Sequence, residues 1–85
     1  MLPHSRYGVV LTPIMARLFD AILAQPGATR ETLAWIIYGD KSGTRQATIG
    51  VHAKNLRSCF ERHPLVTFRP GRATYGYRIE IRKPR

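Results

Sequence analysis

Apolar residues recur at helical spacing in three stretches of the chain and then switch to alternation. Ile14, Leu18 and Ile22 fall at i, i+4 and i+8, and Met15, Phe19 and Leu23 widen the stripe. Thr12 offers an N-cap and Pro13 suits the first helical position. Gln25-Pro26-Gly27 stops the pattern, so the first helix is predicted over 13–24. Thr29 caps a second helix, predicted over 30–38. Glu31 lies in its first turn, where the helix dipole favours an acid, and Leu33, Ala34, Ile36 and Ile37 supply its buried face. Gly39 ends it, and Asp40 to Thr44, with Ser42-Gly43, reads as a loop. The third helix is predicted over 45–62, closed by His63-Pro64. Its Ile49, Ala53, Leu56 and Phe60 share one stripe. Val51 does not join them. It points almost opposite, beside Ala47, Gly50, Lys54 and Ser58, on a face that is small, smooth and only lightly basic.

The tail has period two. Leu65 to Arg69 and Ala73 to Ile81 are β-rich, with Pro70-Gly71 as a turn signal between them. In the second run Tyr75, Tyr77, Ile79 and Ile81 alternate with Thr74, Gly76, Arg78, Glu80 and Arg82, giving one buried and one exposed face. In front of the first helix, Tyr7, Val9, Val10 and Leu11 fit at most one short strand over 6–11. The expected class is therefore α+β: a winged helix-turn-helix of three helices followed by a β-hairpin wing over 65–81. In such a module the third helix enters the major groove. Ala47, Gly50 and Val51 permit close approach, Val51 suits a thymine methyl, and Lys54 and Asn55 carry the polar readout. The same face would otherwise be ordinary solvated helix surface, or a patch that packs on another protein.

Length and charge sharpen this picture. Eighty-five residues make one small domain, read here as 1–85 with a core over about 7–82 and a basic tail at 82–85. The net charge is +9, and it is unevenly placed. Residues 1–40 hold three basic residues (Arg6, Arg17, Arg30) against Asp20, Glu31 and Asp40, a balance of zero. Residues 41–85 hold the other eleven against only Glu61 and Glu80. A neutral half joined to a basic half fits a scaffold presenting one face to a polyanion. No apolar run approaches the roughly 20 residues of a membrane span, and no signal-peptide pattern opens the chain. The lone Cys59, expected as a small core residue, fits a reducing cytoplasm.

With the elements placed, LTPIMARLFDAILAQPGATRETLAWIIYG resembles the opening helices of the OmpR/PhoB-type winged-helix DNA-binding domain. TIGVHAKNLR resembles that family's recognition helix, and YGYRI its closing Gly-Tyr-Arg strand. The likeness covers roughly residues 9 to 80. It implies sequence-specific binding of double-stranded DNA and control of transcription. Carried over residue by residue, groove and backbone contacts fall on Thr48, Val51, His52, Lys54, Asn55 and Arg57, with Tyr38 near the DNA backbone. Thr67 and Arg69 match the start of the wing. The chain also departs from the family pattern. Ala47 stands where the family often has an Arg, and Gly50 replaces an acid. The family's four-stranded N-terminal sheet is reduced to at most one strand. That exposes a side which a homodimer on DNA would use, and the wing is longer by about four residues around Pro70 to Ala73.

The remaining chemistry is sparse. His4 and His63 are scattered, with no Cys or carboxylate at metal spacing, so neither metal nor other cofactor is expected. No paired carboxylates, nucleophile–base set or phosphate loop points to an enzyme. His52, at the edge of the buried face, is either a phosphate donor or a half-buried structural histidine. Trp35 is expected in the core or half-buried, with a protein interface as the other reading. Arg69 and Arg72 flank the wing turn and are either merely solvated or directed at a narrow minor groove, and DNA contact is the favoured reading. The function expected is that of a cytoplasmic, nucleoid-associated regulator of transcription. Its alternatives are a winged-helix module that binds RNA polymerase or another regulator, and an architectural DNA binder of low specificity.

Overall fold

A computed structural model describes residues 4–69 and 76–83. It contains three helices and two small antiparallel sheets in the order β1 (Ser5–Arg6), β2 (Val9–Val10), α1 (Pro13–Ala24), α2 (Arg30–Tyr38), α3 (Gly43–Cys59), β3 (Val66–Arg69), β4 (Arg78–Ile81). This arrangement is compatible with the expected winged helix. No helix among the described residues is long and apolar enough to cross a membrane.

The first two helices begin where their caps predict. The Thr12 hydroxyl accepts from the Met15 N–H at 3.3 Å, and the Thr29 hydroxyl from the Thr32 N–H at 3.3 Å. Gly39 ends α2 in the left-handed region, φ 66°, and its N–H donates to the Trp35 carbonyl. The third helix is displaced from its expected 45–62. It starts at Gly43 because Ser42 is its cap, and the Ser42 N–H is itself held by Asp40 Oδ1 at 2.9 Å, so the expected loop is shorter by two residues. It stops at Cys59. From there the Phe60 and Glu61 N–H groups bond back three residues, to Arg57 and Ser58, a tightened final turn that unwinds the α pattern.

The core is one cluster. Leu18, Phe19 and Ile22 of α1 meet Leu33 of α2, Ile49 and Leu56 of α3 and Val66 of β3, all nearly sealed from solvent. Truncating any one of the large residues to Ala would cost about 2–5 kcal/mol. Four expectations of burial fail, three of them on α2 and α3. Trp35 is 60% exposed, Ile36 is 37% exposed and Cys59 is exposed. At about 100° per residue Trp35 stands on the far side of α2 from Leu33 and Ile37, and Cys59 stands some 80° off the Ile49–Phe60 stripe, so periodicity outranks hydrophobicity at these positions. Leu23, at the last turn of α1, is also exposed.

The N-terminal sheet corrects a second expectation. Two strands, not at most one, precede α1, paired Ser5↔Val10 and Arg6↔Val9. The intervening Tyr7 and Gly8 both have positive φ, 51° and 81°, which is the backbone of a two-residue I′ hairpin turn. Gly8 adopts it freely. Tyr7 does not, and its placement comes from packing: its ring lies 6.2 Å from Phe19 and edge-on to His63 at 6.3 Å. The Tyr7 carbonyl bonds His63 Nε2 at 2.9 Å, while His63 Nδ1 accepts from the Leu65 and Val66 N–H groups. One imidazole thus ties the first hairpin to the start of β3 and needs its proton on Nε2 to do so. Arg6 secures the other side by a two-pronged pair with Asp20 on α1, at 2.9 and 2.8 Å.

The C-terminal strands pair in the register Val66↔Ile81 to Arg69↔Arg78. Among the described residues this ladder covers Arg78 to Ile81 of the second run. Tyr77 turns to the α1–α2 connection: its carbonyl accepts from the Gly27 N–H and its N–H donates to the Ala28 carbonyl, both at 2.8 Å. Gly76 is pressed so close to that connection that a Cβ there would collide with the Gly27 and Ala28 carbonyl oxygens. The expected turn at Pro70-Gly71, Arg72 and the strand residues 73–75 lie outside the described residues.

Candidate nucleic-acid interface

The Ile49–Phe60 stripe fixes the rotation of α3, because Ile49, Ala53, Leu56 and Phe60 are all buried. Ala47, Val51, Lys54, Asn55 and Ser58 are therefore exposed, and Val51 shows 60% of its surface. The side chains of Lys54, Asn55 and Arg57 make no hydrogen bond or ion pair among the described residues, so their donors are available to a ligand. Thr48 is half-buried, and its hydroxyl donates to the Thr44 carbonyl at 3.0 Å, which leaves it only as an acceptor. His52 is half-buried, as its position at the stripe's edge implied.

Two further elements flank this face. A groove between α3 and β3 is lined by Lys54, Arg57, Ser58, Glu61, Thr67 and Phe68, so it brings two of the α3 cations beside the hairpin. On the exposed side of that hairpin Thr67 and Arg69 stand opposite Glu80 and Arg78. Arg69 is not free: its Nε donates to Glu80 at 2.7 Å, and that hydrogen bond raises the guanidinium pKa further. Any contact with a polyanion must share or break this pair. Arg72 belongs to the segment outside the described residues.

At the other end of α3, Tyr38 is half-buried and carries the Arg45 guanidinium over its ring at 4.5 Å. Arg45 also approaches Asp40 at 3.9 Å. Arg45 was not singled out from the sequence. The signal that would have found it is the spacing that puts Arg45 two residues inside the new helix start, directly after Tyr38 and its loop. Arg78 was likewise legible, as an exposed-face residue paired across from Arg69.

Acidic residues are kept occupied. Asp20, Glu31, Asp40 and Glu80 each face a cation, while Glu61, just past the end of α3, lines the groove beside Lys54 and Arg57. The cations left uncompensated include Arg30, Lys54, Arg57 and Arg78. Among the described residues no group of three or more His, Cys, Asp or Glu could hold a metal ion.

No family model, curated protein or solved structure matches this chain.

Proposed function

We propose that the chain is a single winged-helix domain of OmpR/PhoB type that binds double-stranded DNA sequence-specifically and regulates transcription in the cytoplasm. On this reading α3 enters the major groove and the β3–β4 hairpin is the wing. The observation that carries it is the outward face of α3, where a 60%-exposed Val51 is followed by unpaired Lys54, Asn55 and Arg57. A solvated helix face gains nothing from an exposed Val between Gly50 and Lys54. A groove-reading face gains a thymine-methyl contact from it and polar readers one turn later. The charge distribution supports the same partner, since the whole +9 excess lies in residues 41–85.

Selection of bound sites from a random duplex pool tests this directly. A recovered consensus whose binding falls with rising salt supports the proposal. Retention of duplexes without any shared sequence supports the architectural binder instead. Exposed Trp35 and Ile36 favour a second reading, a module that docks on RNA polymerase or another regulator. Under that reading a Trp35→Ala variant loses partner binding while duplex DNA shows no salt-sensitive shift with either form.

A further inference from the structure

We infer that Arg30 is a DNA-phosphate contact, laid across the α3 face at Gly50 and positioned by the absence of a side chain there. This rests on the DNA-binding reading above and adds a residue from α2 to its interface.

Gly50 is half-buried although it lies on the outward side of α3. What covers it is Arg30, the first residue of α2. A Cβ at position 50 would stand 3.2 Å from Arg30 Nη1 and 3.5 Å from Arg30 Cδ. The arginine stem therefore crosses the helix at Gly50, and its guanidinium lies beside the turn that carries Val51 and Lys54. Arg30 is nevertheless exposed, and its side chain makes no hydrogen bond or ion pair among the described residues. Its neighbour Glu31 does not neutralise it, because Glu31 faces Lys41 at 3.9 Å.

This is a guanidinium whose stem lies against the bare backbone of Gly50 and whose donors are unused. Its planar fork matches two oxygens of one phosphate, and a held stem loses less side-chain entropy on contact than a free one. A duplex whose major groove receives Val51 and Lys54 brings a backbone strand past the edge of that face, where Arg30 lies. The positional logic explains Gly50 as well. A methyl group at position 50 would press the guanidinium out by a few tenths of an ångström.

The test uses the whole chain and a duplex carrying its selected site. Affinity and its salt dependence are measured for the unaltered chain, Arg30→Gln, Gly50→Ala, the double variant and Asn55→Ala, with circular dichroism confirming the fold of each. Arg30→Gln should lower affinity about tenfold, equally on the selected site and on random DNA, and reduce the log–log salt slope by about one. Gly50→Ala should weaken binding in the presence of Arg30 and add little in the Arg30→Gln background, the coupling expected of neighbours. An unchanged slope for Arg30→Gln, while Asn55→Ala still loses discrimination, overturns this inference and leaves the regulator intact. A Gly50→Ala cost that is the same in both backgrounds assigns the glycine to helix approach and overturns the positioning. If the unaltered chain binds no duplex, both this inference and the function beneath it fall.

Discussion

Asn55 and Lys54 stand on the turn after Val51, both exposed and both with side chains that have no partner among the described residues. An Asn there can pair with adenine N6 and N7, and a Lys can donate to guanine O6 and N7. On the proposed complex, Asn55→Ala or Lys54→Ala should cost about 1–3 kcal/mol on the preferred site and less on random DNA, as read by competition binding. Arg69→Ala should weaken both more evenly, and by less than an unpaired arginine would, since Glu80 already holds its guanidinium. An Asn55→Ala variant that binds its site unchanged would favour the architectural binder. Gly76 makes a claim on stability alone. Its missing Cβ is what lets Tyr77 exchange two hydrogen bonds with Gly27 and Ala28. Gly76→Ala should destabilise the fold by about 3 kcal/mol or more, seen as a lower urea midpoint. A midpoint within error of the unaltered chain would mean the strand can shift without loss.

Among the elements, the β1–β2 hairpin is the one least supported by its own sequence. Two residues per strand cannot hold a hairpin in water, so its order depends on docking to α1 and to the His63 imidazole. The Arg6–Asp20 pair is part of that docking. The hydrogen bonds from Arg6 are the largest influence on the Asp20 carboxyl and hold it below its ordinary value, against a smaller opposite push from burial. A carboxyl whose folded value lies below its unfolded one contributes stability that is fully present above about pH 4. That contribution disappears as pH falls through the folded value. It is small, because the pair is partly exposed and solvent screens it. Comparing thermal midpoints of the unaltered chain and Asp20→Asn across pH 2–7 should therefore show a difference above about pH 4 that closes below it. A difference independent of pH would show that the carboxylate charge plays no part in holding the hairpin.

For the molecule as a whole, charge is organised around the α3 face. Arg30, Lys54 and Arg57 converge there, Arg69 and Arg78 stand on the hairpin, and Arg45 lies over Tyr38. If about six to eight such residues meet phosphates, the log–log slope of affinity against salt should be roughly −5 to −7. Titration of a labelled duplex over a range of monovalent salt measures it. A flat response between low and moderate salt would contradict the electrostatic role assigned to residues 41–85.

What the sequence determined by itself is the set of features that depend on residues a few positions apart. Thr12 and Thr29 cap their helices, Pro26-Gly27 and Gly39 end them, and the 3.6-residue period turns Val51 outward once Ile49 and Leu56 turn in. The same period also placed Trp35 and Cys59 on outer faces, where hydrophobicity alone misdirected the expectation. Only tertiary structure decided the rest. Tyr7 accepts a positive φ where its ring packs on Phe19 and His63. Tyr77 bonds the backbone groups of Gly27 and Ala28, fifty residues earlier, because the α1–α2 connection lies against its strand. Arg30, counted as part of a neutral half, reaches the α3 face because α2 packs against α3 with Gly50 at the contact. Local periodicity encodes which way a side chain points from its own element. It does not encode which distant group that side chain will meet, because the meeting depends on how separately specified elements dock.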